Sequence, residues 1–268
     1  MNRGVQTSVP RLVAEFRAEL VPMASNSTYG AAFADVYDEW YGTSDDLAAV
    51  VALLARESPR RVLELGVGTG RLAIPLARAL NDHGHSVEVL GIDESSEMLS
   101  LLHNHPGAEL IDAVLGDMID DQPDGPFDLI YCSYNTLFNV IGSSRQAQCI
   151  ANATARLSPG GRLIIDACII ADDAPARGSS VTQRGQWTLT SESSFDSSTG
   201  ALTTTITSRH DDGRVVVRPT TITYSRPDSI DTMCRAAGLE LHARYSSWHM
   251  TTFDQSAARH VSVYRNLR

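Results

Sequence analysis

The feature that most constrains this chain is a short apolar run that ends at three closely spaced glycines. Arg61-Val62-Leu63-Glu64-Leu65 leads into Gly66-Val67-Gly68-Thr69-Gly70, and residues 71–80 are good helix formers. This reads as a strand, a tight loop and a helix. Glycine has no Cβ, so such a loop lets backbone approach a ligand closely. The alternation then repeats. Residues 87–92, 113–115, 127–132 and 162–167 are apolar runs, with helical stretches at 96–103 and 145–157. Near-continuous apolar strands alternating with helices predict a parallel sheet covered on both faces.

The flanks follow other periods. Leu12, Phe16 and Leu20 predict an amphipathic helix over residues 9–21. Arg11, Glu15, Arg17 and Glu19 interrupt it, so it is not a signal-peptide core. Aromatics at 29, 33, 37, 40 and 41 predict a second helix, and residues 45–56 a third, capped by Thr43 or Ser44 and stopped at Ser58-Pro59. After Ile170 the period becomes two. Residues 181–192, 201–209 and 214–224 predict an antiparallel ribbon with turns at 196–200 and Asp211-Asp212-Gly213. A helix over 229–237, capped by Gly238, and strands at 239–245 and 261–264 close the sequence.

Charge narrows the function. There are 22 basic against 32 acidic residues, a net charge of −10, and every basic residue is arginine. An acidic chain is not expected to partner nucleic acid. Without lysine it has no Walker-type phosphate loop and no Schiff-base lysine. No run approaches the roughly 18 apolar residues of a membrane span. Cys132, Cys149, Cys168 and Cys234 form no CxxC pair and read as free thiols of a cytoplasmic protein. His83, His85, His103 and His105 lack ligand spacing and read as surface-loop residues, so no metal is expected.

The ligand-binding residues fall at strand ends, where open parallel sheets bind ligands. Asp93 ends the second strand, placed to accept from ribose hydroxyls. Asp117 follows the third, placed to accept from an exocyclic amine, and Ser133-Tyr134-Asn135 follow the fourth. The spacing GxGxG is not the dinucleotide fingerprint GxGxxG, and Glu64 is ill suited to a pyrophosphate.

Taken in order, VLELGVGTGR (62–71), GIDES (91–95), GDM (116–118), FDLIYCSYN (127–135) and LSPGGRLIID (157–166) resemble the motifs of class I S-adenosylmethionine-dependent methyltransferases. The resemblance implies an α/β, Rossmann-like, doubly wound and mostly parallel seven-stranded sheet with N-terminal helices and an inserted antiparallel β-ribbon. It divides the chain into an N-terminal helical lid (1–57), a cofactor-binding core (58–170 and 226–268) and a β insertion over the acceptor site (171–225). It implies S-adenosylmethionine as cofactor. Gly66, Gly68 and Gly70 would pass under its methionine and ribose, and Glu64 would orient the loop or the amino group. Asp93 would hold the ribose hydroxyls, with Glu94 and Met98 flanking adenine or ribose. Asp117 would accept from the adenine amine, Met118 would pack on the ring, and the Ser133 carbonyl would take the ammonium.

Residues 29–41 further resemble the N-terminal helix of bacterial aminosugar N,N-dimethyltransferases and glycine N-methyltransferase-like enzymes. This implies Tyr37 on the carboxylate or sulfonium and Tyr29 facing the acceptor. Asn139 stands where the aminosugar enzymes keep a histidine, and an amide takes no proton at neutral pH. Tyr29, His249 and His260 are the candidate bases, with His210 behind them, and Trp187 and Trp248 are candidate pocket walls. The expected reaction is N-methylation of a small-molecule amine; O- or C-methylation, a non-catalytic cofactor-binding protein and a nicotinamide-dependent oxidoreductase stay open. A homodimer is compatible with this reading.

Overall fold

The computed structural model describes residues 21–22, 29–42, 45–81 and 87–267. Residues 9–20 of the helix predicted over 9–21, the caps Thr43 and Ser44, and His83 and His85 lie outside them, and Val21 stands in a strand instead. In chain order the elements are β1 (Val21–Pro22), α1 (Tyr29–Phe33), α2 (Tyr37–Tyr41), α3 (Leu47–Leu54), β2 (Arg61–Leu65), α4 (Ala73–Asn81), β3 (Glu88–Asp93) and α5 (Ser96–His103). They continue as β4 (Asp112–Leu115), β5 (Phe127–Cys132), α6 (Ser143–Ala155), β6 (Leu157–Cys168), β7 (Arg177–Arg184) and β8 (Trp187–Asp196). The last are β9 (Ala201–His210), β10 (Val215–Thr223), α7 (Pro227–Ala237), β11 (Leu239–Tyr245) and β12 (Arg259–Asn266).

Among the described residues seven strands form the main sheet, in the order β11-β12-β6-β5-β2-β3-β4. β2 to β6 pair in parallel, and β12 runs against both its neighbours. The doubly wound α/β expectation therefore holds. Successive strand residues point to opposite faces, and the packing follows that rule. Leu63, Ile130, Leu163 and Ile165 pack with Cys149, Ile150, Ile230 and Cys234 of α6 and α7. Val62, Leu129, Tyr131 and Ile164 pack with Val50, Leu53, Leu76 and Leu102 of α3, α4 and α5.

The second sheet has the order β1-β10-β9-β8-β7, antiparallel except where β1 meets β10. A third core joins it to the N-terminal helices through Phe33, Val36, Trp40, Trp187 and Leu189.

Three boundaries differ from the sequence reading. Residues 29–41 form two five-residue helices, because the turn at residues 34–36 lets Asp35 pair with Arg218 of β10. Residues 181–192 hold two strands, not one: β7 and β8 fold back on each other at Gly185-Gln186, with Arg184 paired to Trp187. Residues 158–161, read as a loop, extend β6, whose first residue Leu157 pairs with Phe127. Gly238 caps α7 in the left-handed conformation, φ 97°, as expected.

Candidate active site

The strand ends build the site. β2 and β3 pair in parallel, so the glycine loop after β2 meets the carboxylate that ends β3. The Gly66 and Val67 amides donate to the Ile92 carbonyl at 2.8 and 3.0 Å, and Gly68 donates to Asp93 Oδ2 at 2.8 Å. Asp93 Oδ1 accepts from Ser95, whose hydroxyl caps α5 by accepting from Met98 at 3.2 Å. Gly66 has φ 74°, and a Cβ there would lie 2.3 Å from Thr136 Cγ2. At Gly68, φ 55°, a Cβ would meet nothing within 4 Å, so this backbone faces open space.

That space is a cleft of about 760 Å³. One half is walled by Gly66, Gly68, Asp93, Glu94, Met98, Asp117, Met118 and Ser133, and Tyr29, Tyr37 and Asn139 reach the same cleft. The other half is roofed by α1 and α2 and backed by Leu202, Thr204 and Ile206 of β9 with Thr220 and Ile222 of β10. Period-two spacing along β9 puts its three residues on one face. That alternation was visible in the sequence, but nothing there said which face turns to the cleft. Arg71, Tyr134, Thr136, Arg145 and Arg184 also line it.

Electrostatics divide the cleft as well. Burial raises the carboxyl of Asp93 against the amides of Ser95 and Gly68, and burial raises Glu94. Arg145 lies 3.6 Å from Asp117 and 3.0 Å from Asp120. Arg71 donates to the Tyr41 carbonyl at 3.1 Å and stacks on Tyr134. Burial pushes the Tyr29 hydroxyl well above its ordinary value, with Tyr41 and Tyr37 adding to it. A hydroxyl so placed keeps its proton at neutral pH and cannot serve as the general base considered for it.

Other expected site residues lie elsewhere. Glu64 sits beneath the loop, buried, and accepts from the Tyr131 hydroxyl at 2.8 Å. Gly70 faces Ile74 and Leu102 inside the core. His249, considered as a base, is exposed between β11 and β12 and does not line the cleft. His260 is fully buried, bonded to Ser262 at 2.8 Å, and burial lowers it to about 4. His210 edges the Trp187 ring and pairs with Asp212. Trp248 belongs to the α3–α5 core and Trp187 meets Trp40 edge to face, so both are packing residues that the cleft does not expose. His103 ends α5 and its Nδ1–H donates to the Leu99 carbonyl, while His105 lies in the loop that follows and pairs with Asp38 at 2.8 Å. Among the described residues no group of three or more His, Cys, Asp or Glu could hold a metal, and no helix is long and apolar enough to cross a membrane.

This geometry is shared with known proteins. The structure of the CcbJ methyltransferase from Streptomyces caelestis is 32% identical, covers 90% of this chain and 99% of its own, and superposes with a TM-score of 0.80. The chain belongs to the class I S-adenosylmethionine-dependent methyltransferases. Residues 62–161 of this methyltransferase match a family model described as a methyltransferase domain. A cypemycin N-terminal methyltransferase from a Streptomyces species is 29% identical over 147 residues, 54% of this chain and 58% of its own. The chain spans about half the length of the curated relatives it matches. The S-adenosylmethionine-bound amino pentose methyltransferase CalS10 from Micromonospora echinaspora has the same fold, with a TM-score of 0.67, 20% identity and coverage of 91% of this chain and 100% of its own.

The residues present fit the methyltransferase cofactor. Open space over Gly68, a carboxylate at the end of β3 and a second at Asp117 form a cradle for a ribose and an adenine. The buried Glu64 supplies a measurable signature. Burial raises its carboxyl to about 8, opposed by the Tyr131 hydroxyl and Arg71. A carboxyl raised on folding contributes stability that is full below 4.5 and is lost as pH rises through about 8. The cofactor-free protein is therefore expected to lose stability between pH 5 and about 8. Denaturant titrations of wild type and Glu64→Gln across that range check it: the variant should show a flatter dependence.

Proposed function

We propose that the protein transfers a methyl group from S-adenosylmethionine to the nitrogen of a small-molecule amine. The glycine-loop half of the cleft holds the cofactor and the α1/α2–β9/β10 half holds the acceptor. Asp93 accepts from the ribose hydroxyls, and Glu94 and Met98 flank the adenine or ribose. Asp117 accepts from the adenine amine beside Met118. The Ser133 carbonyl serves the ammonium end and Tyr37 and Arg71 the carboxylate, while the buried Glu64 supports the loop from beneath. Gly66 and Gly68 let the backbone pass beneath, and Gly70 starts the supporting helix. When bound, the cofactor supplies an electrophilic methyl group on a sulfonium.

One observation carries the choice of nitrogen. Among the described residues of the acceptor half, no side chain takes a proton near neutrality: there is no histidine, Asn139 is an amide and Tyr29 holds its proton. A hydroxyl acceptor needs a base. A neutral amine carries its own lone pair and needs only positioning, which can contribute roughly 7–11 kcal/mol. Tyr29 and Asn139 orient it. The name of the cypemycin N-terminal methyltransferase agrees with this reading.

The test is a pH profile of kcat/KM at saturating cofactor. With no base on the protein, the rate rises with pH and levels at the acceptor amine's own pKa. Changing to a less basic amine then moves the inflection down by the difference in amine pKa. An inflection that stays fixed while the acceptor changes points to a protein base and overturns the reading.

A further inference from the structure

The acceptor half of the cleft has a character that selects among amines. Its sheet wall is a ladder of cross-strand neighbours, Leu202 opposite Ile222 and Thr204 opposite Thr220, with Ile206 next along β9. Thr220 turns its hydroxyl to the Thr204 carbonyl at 3.4 Å, so this rung spends polarity on itself. Val140 and Ile141 continue the apolar surface, and Tyr41 and Trp40 face it from α2. Among the described residues lining the cleft, the carboxylates are Asp93, Glu94 and Asp117, all on the cofactor side. A polyhydroxylated sugar needs several directed donors and acceptors when it is desolvated, and a polycation needs carboxylates. This wall offers two threonine hydroxyls and no carboxylate.

The cations are unequal. Arg145 is paired with Asp117 and Asp120, and Arg71 is stacked on Tyr134 and bonded to the Tyr41 carbonyl. Arg184 stands exposed at the mouth. One of its N–H groups is anchored on the Trp40 carbonyl at 2.7 Å and its guanidinium lies 5.2 Å from the Tyr41 ring centre. An arginine held by stacking and one backbone bond keeps further donors of its fork for a planar anion.

We propose that the acceptor is an amine on an apolar body that carries a carboxylate, received by Arg184 at the mouth of the cleft, rather than an aminosugar or a polyamine. The proposal rests on the assignment of the glycine-loop half to the cofactor and deepens the N-methylation reading.

The experiment measures S-adenosylhomocysteine formation by the full chain with five probes at equal concentration. These are L-phenylalanine, phenylalaninamide, glucosamine, spermidine and phenyllactate. Phenylalanine should exceed phenylalaninamide, and should exceed glucosamine and spermidine about tenfold or more in kcat/KM. Arg184→Gln should raise KM for phenylalanine about tenfold, which is about 1.4 kcal/mol, and erase the preference over phenylalaninamide. Glucosamine or spermidine as the better acceptor, no turnover of phenylalanine by cofactor-bound protein, or a parallel loss of S-adenosylhomocysteine affinity in Arg184→Gln each overturns the proposal. Turnover of phenyllactate in place of phenylalanine overturns the N-methylation reading on which the proposal rests, whereas glucosamine or spermidine as the better acceptor overturns only the apolar, carboxylated body, so the two failures are distinct.

Discussion

Asp93→Ala is expected to weaken S-adenosylhomocysteine binding by about 1.5–3 kcal/mol, a loss of roughly 10- to 150-fold, because it removes hydrogen bonds to a charged acceptor. The side chain has two duties. Its oxygens already receive the Gly68 and Ser95 amides at 2.8 and 2.9 Å, so it shapes the loop before any ligand arrives. On the proposed cofactor assignment, the same carboxylate also accepts from the ribose hydroxyls. Asp93→Asn keeps one oxygen for these donors and should fall between wild type and alanine. Calorimetric titration of the three proteins decides it. Affinity within threefold of wild type for Asp93→Ala would show that the ribose is held elsewhere.

Arg218→Met should carry the largest cost to folding. Arg218 is completely buried, and its guanidinium donates to the Ala32 carbonyl at 2.8 Å, to Ser208 at 3.0 Å and to Asp35 at 2.6 Å. It also lies over the rings of Trp40 and Phe33. It is the bolt between α1, α2 and β10. Removing it leaves a buried carbonyl and a hydroxyl without their donor. Asp35 is mostly exposed and rehydrates, which limits the loss. We expect about 2–4 kcal/mol, or roughly 5–15 °C in Tm for a chain of this size. Chemical denaturation with a change below 1 kcal/mol would mean that the aromatic cluster alone holds the helices.

What the sequence revealed divides along a physical line. Strands buried on both faces announce themselves by composition, and α5 and β5 were placed to the residue because Ser95 caps one and Pro126 bounds the other. β7 was missed because Arg-Gly-Ser-Ser-Val-Thr-Gln-Arg has almost no apolar residue; its strand state comes from pairing with β8. The break between α1 and α2 depends on a partner, Arg218, more than 180 positions away. The cofactor half of the cleft was legible because the loops that follow consecutive strands are local. The second sheet is expected over the other half from the sequence, but which of its residues reach the cleft, Leu202 and Thr204 among them, is set only once that sheet has folded. Glu64 shows the opposite limit: its place in the motif was plain, while its burial beside Tyr131 needed the neighbouring strand.

The short α2 helix is stitched to the rest of the protein along two unequal seams. Toward the second sheet it shares the buried Arg218 bolt and the Trp40–Trp187 contact. Toward the glycine loop it is held by Asp38, which receives the Thr69 hydroxyl and faces His105, with both members of that pair more than one-third exposed. An exposed ion pair contributes at most about 1 kcal/mol and fades with salt. The loop-side seam is therefore the one that parts first when the roof lifts. Salt should loosen the contact of α2 with the glycine loop, while its contact with the second sheet stays bolted by the buried Arg218.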